Sequence, residues 1–215
     1  MSEGTEKSGR KRGRPVSREK IDQDRLLDIA NKVFAEKGFE GAQLKEIAER
    51  AGISKSLMNY HYGNKEQLWK VSVKRLGEKL NEQLRETGRM LKDLTGVALM
   101  KAYNRQFIYF SAEHPEFYKI FIQEMYAGTE RSFWMFDNIL KPLYEFTEVF
   151  IKAAKADNDP IGKIPTANLS AILMGSANTI FMHAYQMQQV YGVDPFQPEE
   201  IERHADIINA LVFGE

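Results

Sequence analysis

Apolar residues recur along this chain at helical spacing, and almost nowhere do they alternate as a strand would require. Leu26, Ala30, Val33 and Phe34 form a stripe that predicts a first helix from about Asp22 to Lys37. Asp22 serves as its N-cap, with Ile21 and Leu26 placed as a hydrophobic staple. Gly38 closes this helix, and Phe39 folds back on Phe34. Leu44, Ile47, Ala48 and Ala51 repeat at i, i+3, i+4, i+7 and predict a second helix. Gly52 supplies the left-handed residue that stops it, and Ser54 caps a third, short helix reaching Tyr62. Helices joined by so tight a turn cross steeply, packing here through Ala48, Ile53 and Met58. Asn64 and Gln67 have capping-box spacing, so a fourth helix begins near Lys65. It continues through Leu68, Trp69, Val73, Leu76, Leu80 and Leu84.

Beyond it the same period predicts helices over about 93–113, 115–127, 130–156, 166–190 and 198–213, separated by proline and glycine signals. Neither a convincing strand nor an internal repeat is visible. The expectation is an all-α chain in three parts. Residues 1–20 lack periodicity, are rich in Gly, Ser, Lys and Arg, and read as a disordered basic arm. Residues 21–66 form a three-helix, helix-turn-helix head, and 67–215 a helical body.

Charge changes the picture because of where it lies. The net charge is zero, yet residues 1–75 hold 17 Lys and Arg against 11 Asp and Glu, a balance of +6 that the remainder cancels. A basic front suggests that the front meets a polyanion. With no cysteine, disulfides and thiolate metal sites are excluded. No apolar run approaches the roughly 18 residues of a membrane span, so a cytoplasmic protein without a membrane role is expected. The four histidines are scattered, and neither a phosphate-binding glycine loop nor a nucleophile elbow appears. Enzymatic activity, a cofactor and a metal are therefore not expected.

The helix-turn-helix leaves Lys55, Ser56, Leu57, Asn59 and Tyr60 free to face the DNA major groove. Lys55 suits guanine, Asn59 adenine and Leu57 a thymine methyl, the competing reading being a solvated surface or a phosphate contact. Lys65 sits at a helix N-terminus, a ready anion site. In the arm, Gly9-Arg-Lys-Arg-Gly-Arg-Pro15 resembles an AT-hook, with Arg12 and Arg14 reaching into an A·T-rich minor groove. The alternative there is a basic tail adding only non-specific attraction.

These features resemble the TetR family of bacterial transcription regulators. The resemblance rests on Leu26-Leu-Asp28, Ala30, Phe34-Ala-Glu-Lys-Gly-Phe39, Leu44-Lys-Glu-Ile-Ala48, Ala51-Gly-Ile-Ser-Lys55, Tyr60-His-Tyr62 and Asn64-Lys-Glu-Gln-Leu68. It implies a DNA-binding head on an effector-binding body that dimerises through its last two helices, with ligand moving the heads off the operator. It also implies that Tyr60 and His61 contact the DNA backbone, while packing remains the alternative for His61. Gln43 stands where the family commonly has a Thr or Ser cap, though its amide still reaches a phosphate. Asn59 and Leu57 replace a common Tyr and Thr, so the operator sequence does not transfer from relatives.

The body is rich in aromatics and methionine, most of it core. Arg105, Phe107, Phe121, Met125, Asn178 and His183 are the expected effector-binding residues, Arg105 being the partner for an anionic ligand or else a surface ion pair. Small residues across 166–190 and the stripe Ile201, Ala205, Ile208, Leu211 and Val212 suggest a four-helix dimer seam. The reading that results is a homodimeric repressor released from double-stranded DNA by a small-molecule effector. The alternative is an architectural DNA-binding protein with no effector and a filled body.

Overall fold

Asp22 begins the first helix as its sequence position suggests, its carboxylate accepting the Arg25 N–H at 3.1 Å. The computed structural model describes residues 22–157 and 159–214; the arm with Arg12 and Arg14, and Ile21 of the expected staple, lie outside the described residues. Helix α1 spans Gln23–Gly41 and so outlasts its expected stop. Gly38 does leave helical geometry (φ 69°, ψ 171°), but the chain adds one more turn beyond it. That turn carries Phe39 back onto Phe34, ring centroids 6.1 Å apart and nearly parallel.

Helix α2 covers Leu44–Ala51 and α3 Lys55–Tyr62. Gly52 joins them at φ 72°, ψ 25°, a conformation that costs glycine little and other residues more. Ser54 Oγ accepts the Leu57 N–H at 3.1 Å, and Asn64 Oδ1 accepts the Gln67 N–H at 2.9 Å. The latter opens α4, Lys65–Met90, a helix of 26 residues. At 1.5 Å per residue it is about 39 Å long, enough to run through the whole molecule.

The body adds α5 (Gly96–Glu113), α6 (Pro115–Ala127), α7 (Glu130–Met135), α8 (Lys141–Asp157), a short α9 (Asp159–Gly162), α10 (Thr166–Met182), α11 (Ala184–Tyr191) and α12 (Pro198–Phe213). No strand occurs among the described residues. Helix α5 lies at the centre, packed against α4, α8, α10 and α12. The division expected near residue 66 falls at the start of α4, and the apolar core crosses it. One cluster joins Phe34, Ile47, Met58 and Trp69 to Leu80, Tyr103 and Met135.

Two expected helices differ in detail. The one over 130–156 contains a π-helical turn, Phe136–Leu140, linking α7 to α8. The wider turn presses Ile139 against α4 at Gly77, where an added Cβ would lie 2.8 Å from Ile139 Cγ2. The one over 166–190 bends at His183 (φ −99°, ψ 20°), which separates α10 from α11. Helix α11 buries no side chain.

Candidate nucleic-acid interface and effector cavity

Met58, completely buried, anchors α3 in the head. Its opposite face then points to solvent. Lys55, Ser56, Asn59, Tyr60 and His61 are exposed and Leu57 is half-buried. Tyr60 is 83% exposed, and its ring meets His61 edge-on at 5.2 Å. The packing alternative for His61 is thus not the one adopted. Gln43 is exposed at the N-terminus of α2 and makes no side-chain cap, so its amide and the first N–H groups of α2 are open to an anion.

The cations of α1 and α2 serve each other's carboxylates instead. Glu46 receives Lys37 at 2.6 Å and Arg50 at 2.8 Å, and Arg50 also reaches Glu36 at 2.8 Å. The hydrogen bond from Lys37 holds the Glu46 carboxyl below its ordinary value, and that from Arg50 does the same for Glu36. This network staples α1 to α2.

Lys65 is positioned unexpectedly. Its Nζ donates to Glu40 O and Ala42 O, both at 3.2 Å, and lies 4.5 Å from the Phe39 ring centroid. The ammonium caps the end of α1, which satisfies carbonyls that the helix itself cannot. Arg131, at the start of α7, lies over the same ring at 3.7 Å and reaches Glu40 at 3.4 Å. Its other side meets buried Glu124 at 3.3 Å, whose carboxylate also accepts from Thr129 Oγ1. Beside this clasp, Gln123 donates to Ala35 O at 3.0 Å, and Trp69 packs on Trp134 at 5.8 Å. A corner of the body therefore grips a corner of the head. Sequence reasoning missed Arg131; its signal was an arginine in the first turn of a short helix that ends Phe133-Trp-Met135, behind a Thr129/Ser132 cap.

The body holds a cavity of about 60 Å³ between α4, α5, α8 and α10. Leu84, Tyr103, Phe107, Tyr144, Thr147 and Met174 face it. Of the expected effector residues only Phe107 belongs to it. Arg105 turns away toward α12, where Glu202 and Asp206 bind its guanidinium, so the surface ion pair is the arrangement adopted. Phe121 and Met125 pack half-buried against the main core. Asn178 donates to Met174 O at 2.8 Å and borders a separate cleft against α1 and α6. His183 is exposed at the bend after α10. Helical spacing could not separate these residues, because core and cavity share the same apolar face. No cluster suited to a metal ion occurs among the described residues.

Comparison with known proteins agrees with this geometry. The chain is 32% identical over 128 residues to the HTH-type transcriptional regulator RutR of Escherichia coli, an alignment covering 60% of this chain and 58% of RutR. The chain thus spans less than two thirds of that relative's length. Over 51 residues it is 39% identical to IcaR of Staphylococcus epidermidis, a negative regulator of a biofilm operon, covering 24% of this chain and 28% of IcaR. The fold matches the fatty acid degradation regulator FadR of Bacillus halodurans with TM-score 0.67 at 16% identity, over 90% of this chain and 98% of that one. It also matches FadR of Bacillus subtilis, solved in complex with stearoyl-CoA, with TM-score 0.63 at 14% identity, over 90% and 100%. Residues 26–70, which run from the core stripe of α1 through the exposed α3 into α4, match the model of the bacterial regulatory proteins of the tetR family.

Proposed function

We propose that this chain is a ligand-responsive transcriptional repressor that binds a palindromic operator as a homodimer and leaves it when a small molecule enters the body. The observation that carries the reading is the exposed α3 face on a head that shares one apolar core, through α4, with a cavity-bearing body. Lys55, Leu57 and Asn59 read base edges, while Gln43, Ser56, Tyr60 and His61 hold phosphates, joined by Lys65 through the one N–H that Glu40 O and Ala42 O leave over. Arg12 and Arg14 extend the contact into the minor groove. Regulation in the cytoplasm, without catalysis or a cofactor, is all this role requires. RutR's name as a transcriptional regulator, IcaR's as a negative one and the stearoyl-CoA in a FadR structure support the same reading.

Pairing is supported by the outer face of α10 and α12. Ile172, Ile207 and Leu211 are exposed there, and a Cβ added at Gly175 would meet nothing. The stripe expected on α12 divides: Ile201 and Ala205 are buried within the chain because α12 packs on α5, and Leu211 remains outside, where Ile207, which the stripe did not include, is exposed as well. Two such faces make a seam that sets the heads about one helical turn of DNA apart, roughly 34 Å, or a multiple of it. An effector acts only through its different affinity for the operator-compatible and incompatible spacings.

Genomic footprinting followed by a compound screen tests the proposal. A few discrete palindromic sites, released by a compound that binds the protein, are expected. Many weak sites that no bound compound affects would instead support the architectural reading, which a cavity in the body already disfavours.

A further inference from the structure

The cavity wall contains no Asp, Glu, Lys, Arg or His. A charged group placed inside would lose its hydration with no ion to replace it, a cost of several kcal/mol. The polar groups that do line it are unequally committed. Thr147 Oγ1 donates to Leu143 O and Tyr144 O of its own helix, and Asn104 donates to Asn209 at 2.8 Å. The Tyr144 hydroxyl reaches only the Met174 thioether at 3.3 Å, a weak acceptor. Burial raises the pKa of both Tyr144 and Tyr103, as a dry surrounding should.

Size adds a second constraint. A cavity of roughly 150 Å³ accommodates benzene, and this one is smaller, at about 60 Å³. Met100 and Met174 line it and are side chains that yield readily. Any ligand must still spread the helices around it. Tyr103 is the stiff part of that wall, packed on Phe150 with ring centroids 4.2 Å apart and planes tilted by 40°, and its hydroxyl abuts α4 at Gly88, where an added Cβ would overlap it.

We infer that the cavity takes an uncharged, largely apolar molecule carrying one carbonyl or hydroxyl oxygen, which replaces Met174 as the acceptor of the Tyr144 hydroxyl, and that Tyr103 transmits occupancy to α4 at Gly88. The inference rests on the ligand-responsive reading above and names the ligand class and the point of coupling. Anionic effectors are excluded from this cavity, contrary to the expectation attached to Arg105.

The full chain is first titrated without DNA, by calorimetry and thermal unfolding, using matched pairs near neutral pH: acetophenone with benzoate, and methyl octanoate with octanoate. At least one neutral member is expected to bind and its anion to bind about tenfold more weakly or not at all. Equal or tighter binding of the anion, or no binding by either neutral compound, overturns the ligand class. Tyr144→Phe should weaken acetophenone about tenfold, the value of one hydrogen bond, and leave ethylbenzene unchanged. Retained ethylbenzene binding shows that the cavity is intact; equal losses for both overturn the role of the hydroxyl. For the coupling, Gly88→Ala should weaken binding to a footprinted DNA fragment in the absence of ligand, and adding Tyr103→Phe should restore it, since the ring carbon lies at an ordinary 3.6 Å. Unchanged affinity in Gly88→Ala, or no restoration, overturns transmission through Tyr103. A neutral ligand that binds yet never alters DNA affinity sinks the regulatory reading while leaving the ligand class standing.

Discussion

Asn59 is exposed on α3 with nothing but solvent to explain an amide there. The proposed bidentate pairing with adenine would use it, and one such pair is worth about 1–3 kcal/mol of discrimination. Asn59→Ala should therefore relax sequence preference at one base pair of each half-site in a binding-site selection. An unaltered preference would remove Asn59 from the base-reading set. Asn31 is the opposite case, an amide only 1% exposed in the middle of α1. Its Nδ2 donates to Ser72 O at 3.0 Å, but its Oδ1 is buried with no partner. An unmet buried acceptor costs about 1–3 kcal/mol, whereas a helix carbonyl such as Ser72 O already has its own helical donor. Asn31→Leu should raise the melting temperature by a few degrees in calorimetry, and a fall would mean that the α1–α4 spacing depends on the amide.

Between elements, the clasp at Arg131 is the contact most exposed to disruption. It joins α7 to the end of α1 through Phe39 and Glu40, and it neutralises Glu124, which is 4% exposed. Removing one partner of a buried pair costs about 3–5 kcal/mol, because the other charge stays behind. Arg131→Met should lose stability on that scale in urea unfolding, and adding Glu124→Gln should recover much of it. No recovery would mean that the ring contact with Phe39, and not the carboxylate, carries the energy. A different pair is sensitive to pH. His204 on α12 donates from Nε2 to Ser176 O of α10 at 2.8 Å, while burial holds its imidazole below the ordinary 6.5. The unfolded chain then takes up the proton first, so stability is full above about 6.5 and is lost as the pH falls below it. His204→Leu should flatten the unfolding midpoint across that window, and an unchanged slope would point to other groups.

At the scale of the whole molecule, the proposed dimer has to hold two heads. Leu211 is 76% exposed in the single chain, and Ile207 and Ile172 are exposed as well. Leu211→Arg should yield a monomer by sedimentation and weaken DNA binding at least about a hundredfold, since the second half-site would no longer be reached intramolecularly. A dimer that survives the substitution would move the seam to another face. The legible and illegible parts of the site divide along the same line. The head was legible residue by residue because its signals are local: caps at Asp22, Ser54 and Asn64, a left-handed Gly52, and an apolar stripe that leaves Lys55 and Asn59 outside. The cavity lining was not, since of the six residues expected to bind an effector only Phe107 reaches it.

Local chemistry alone therefore determined the caps of the head's helices, the turn between α2 and α3 and the exposed face of α3, because caps and apolar period act within a few residues of each other. Only the tertiary structure decided that Lys65 closes α1, that Arg131 links body to head, and that Tyr103 and Tyr144 rather than Arg105 line the cavity. Those outcomes depend on which face of one helix meets which face of another, 23 to 92 positions away in the contacts of Lys65 and Arg131 with the end of α1. A stripe of apolar residues states that a face is buried; it carries no record of the partner against which it is buried.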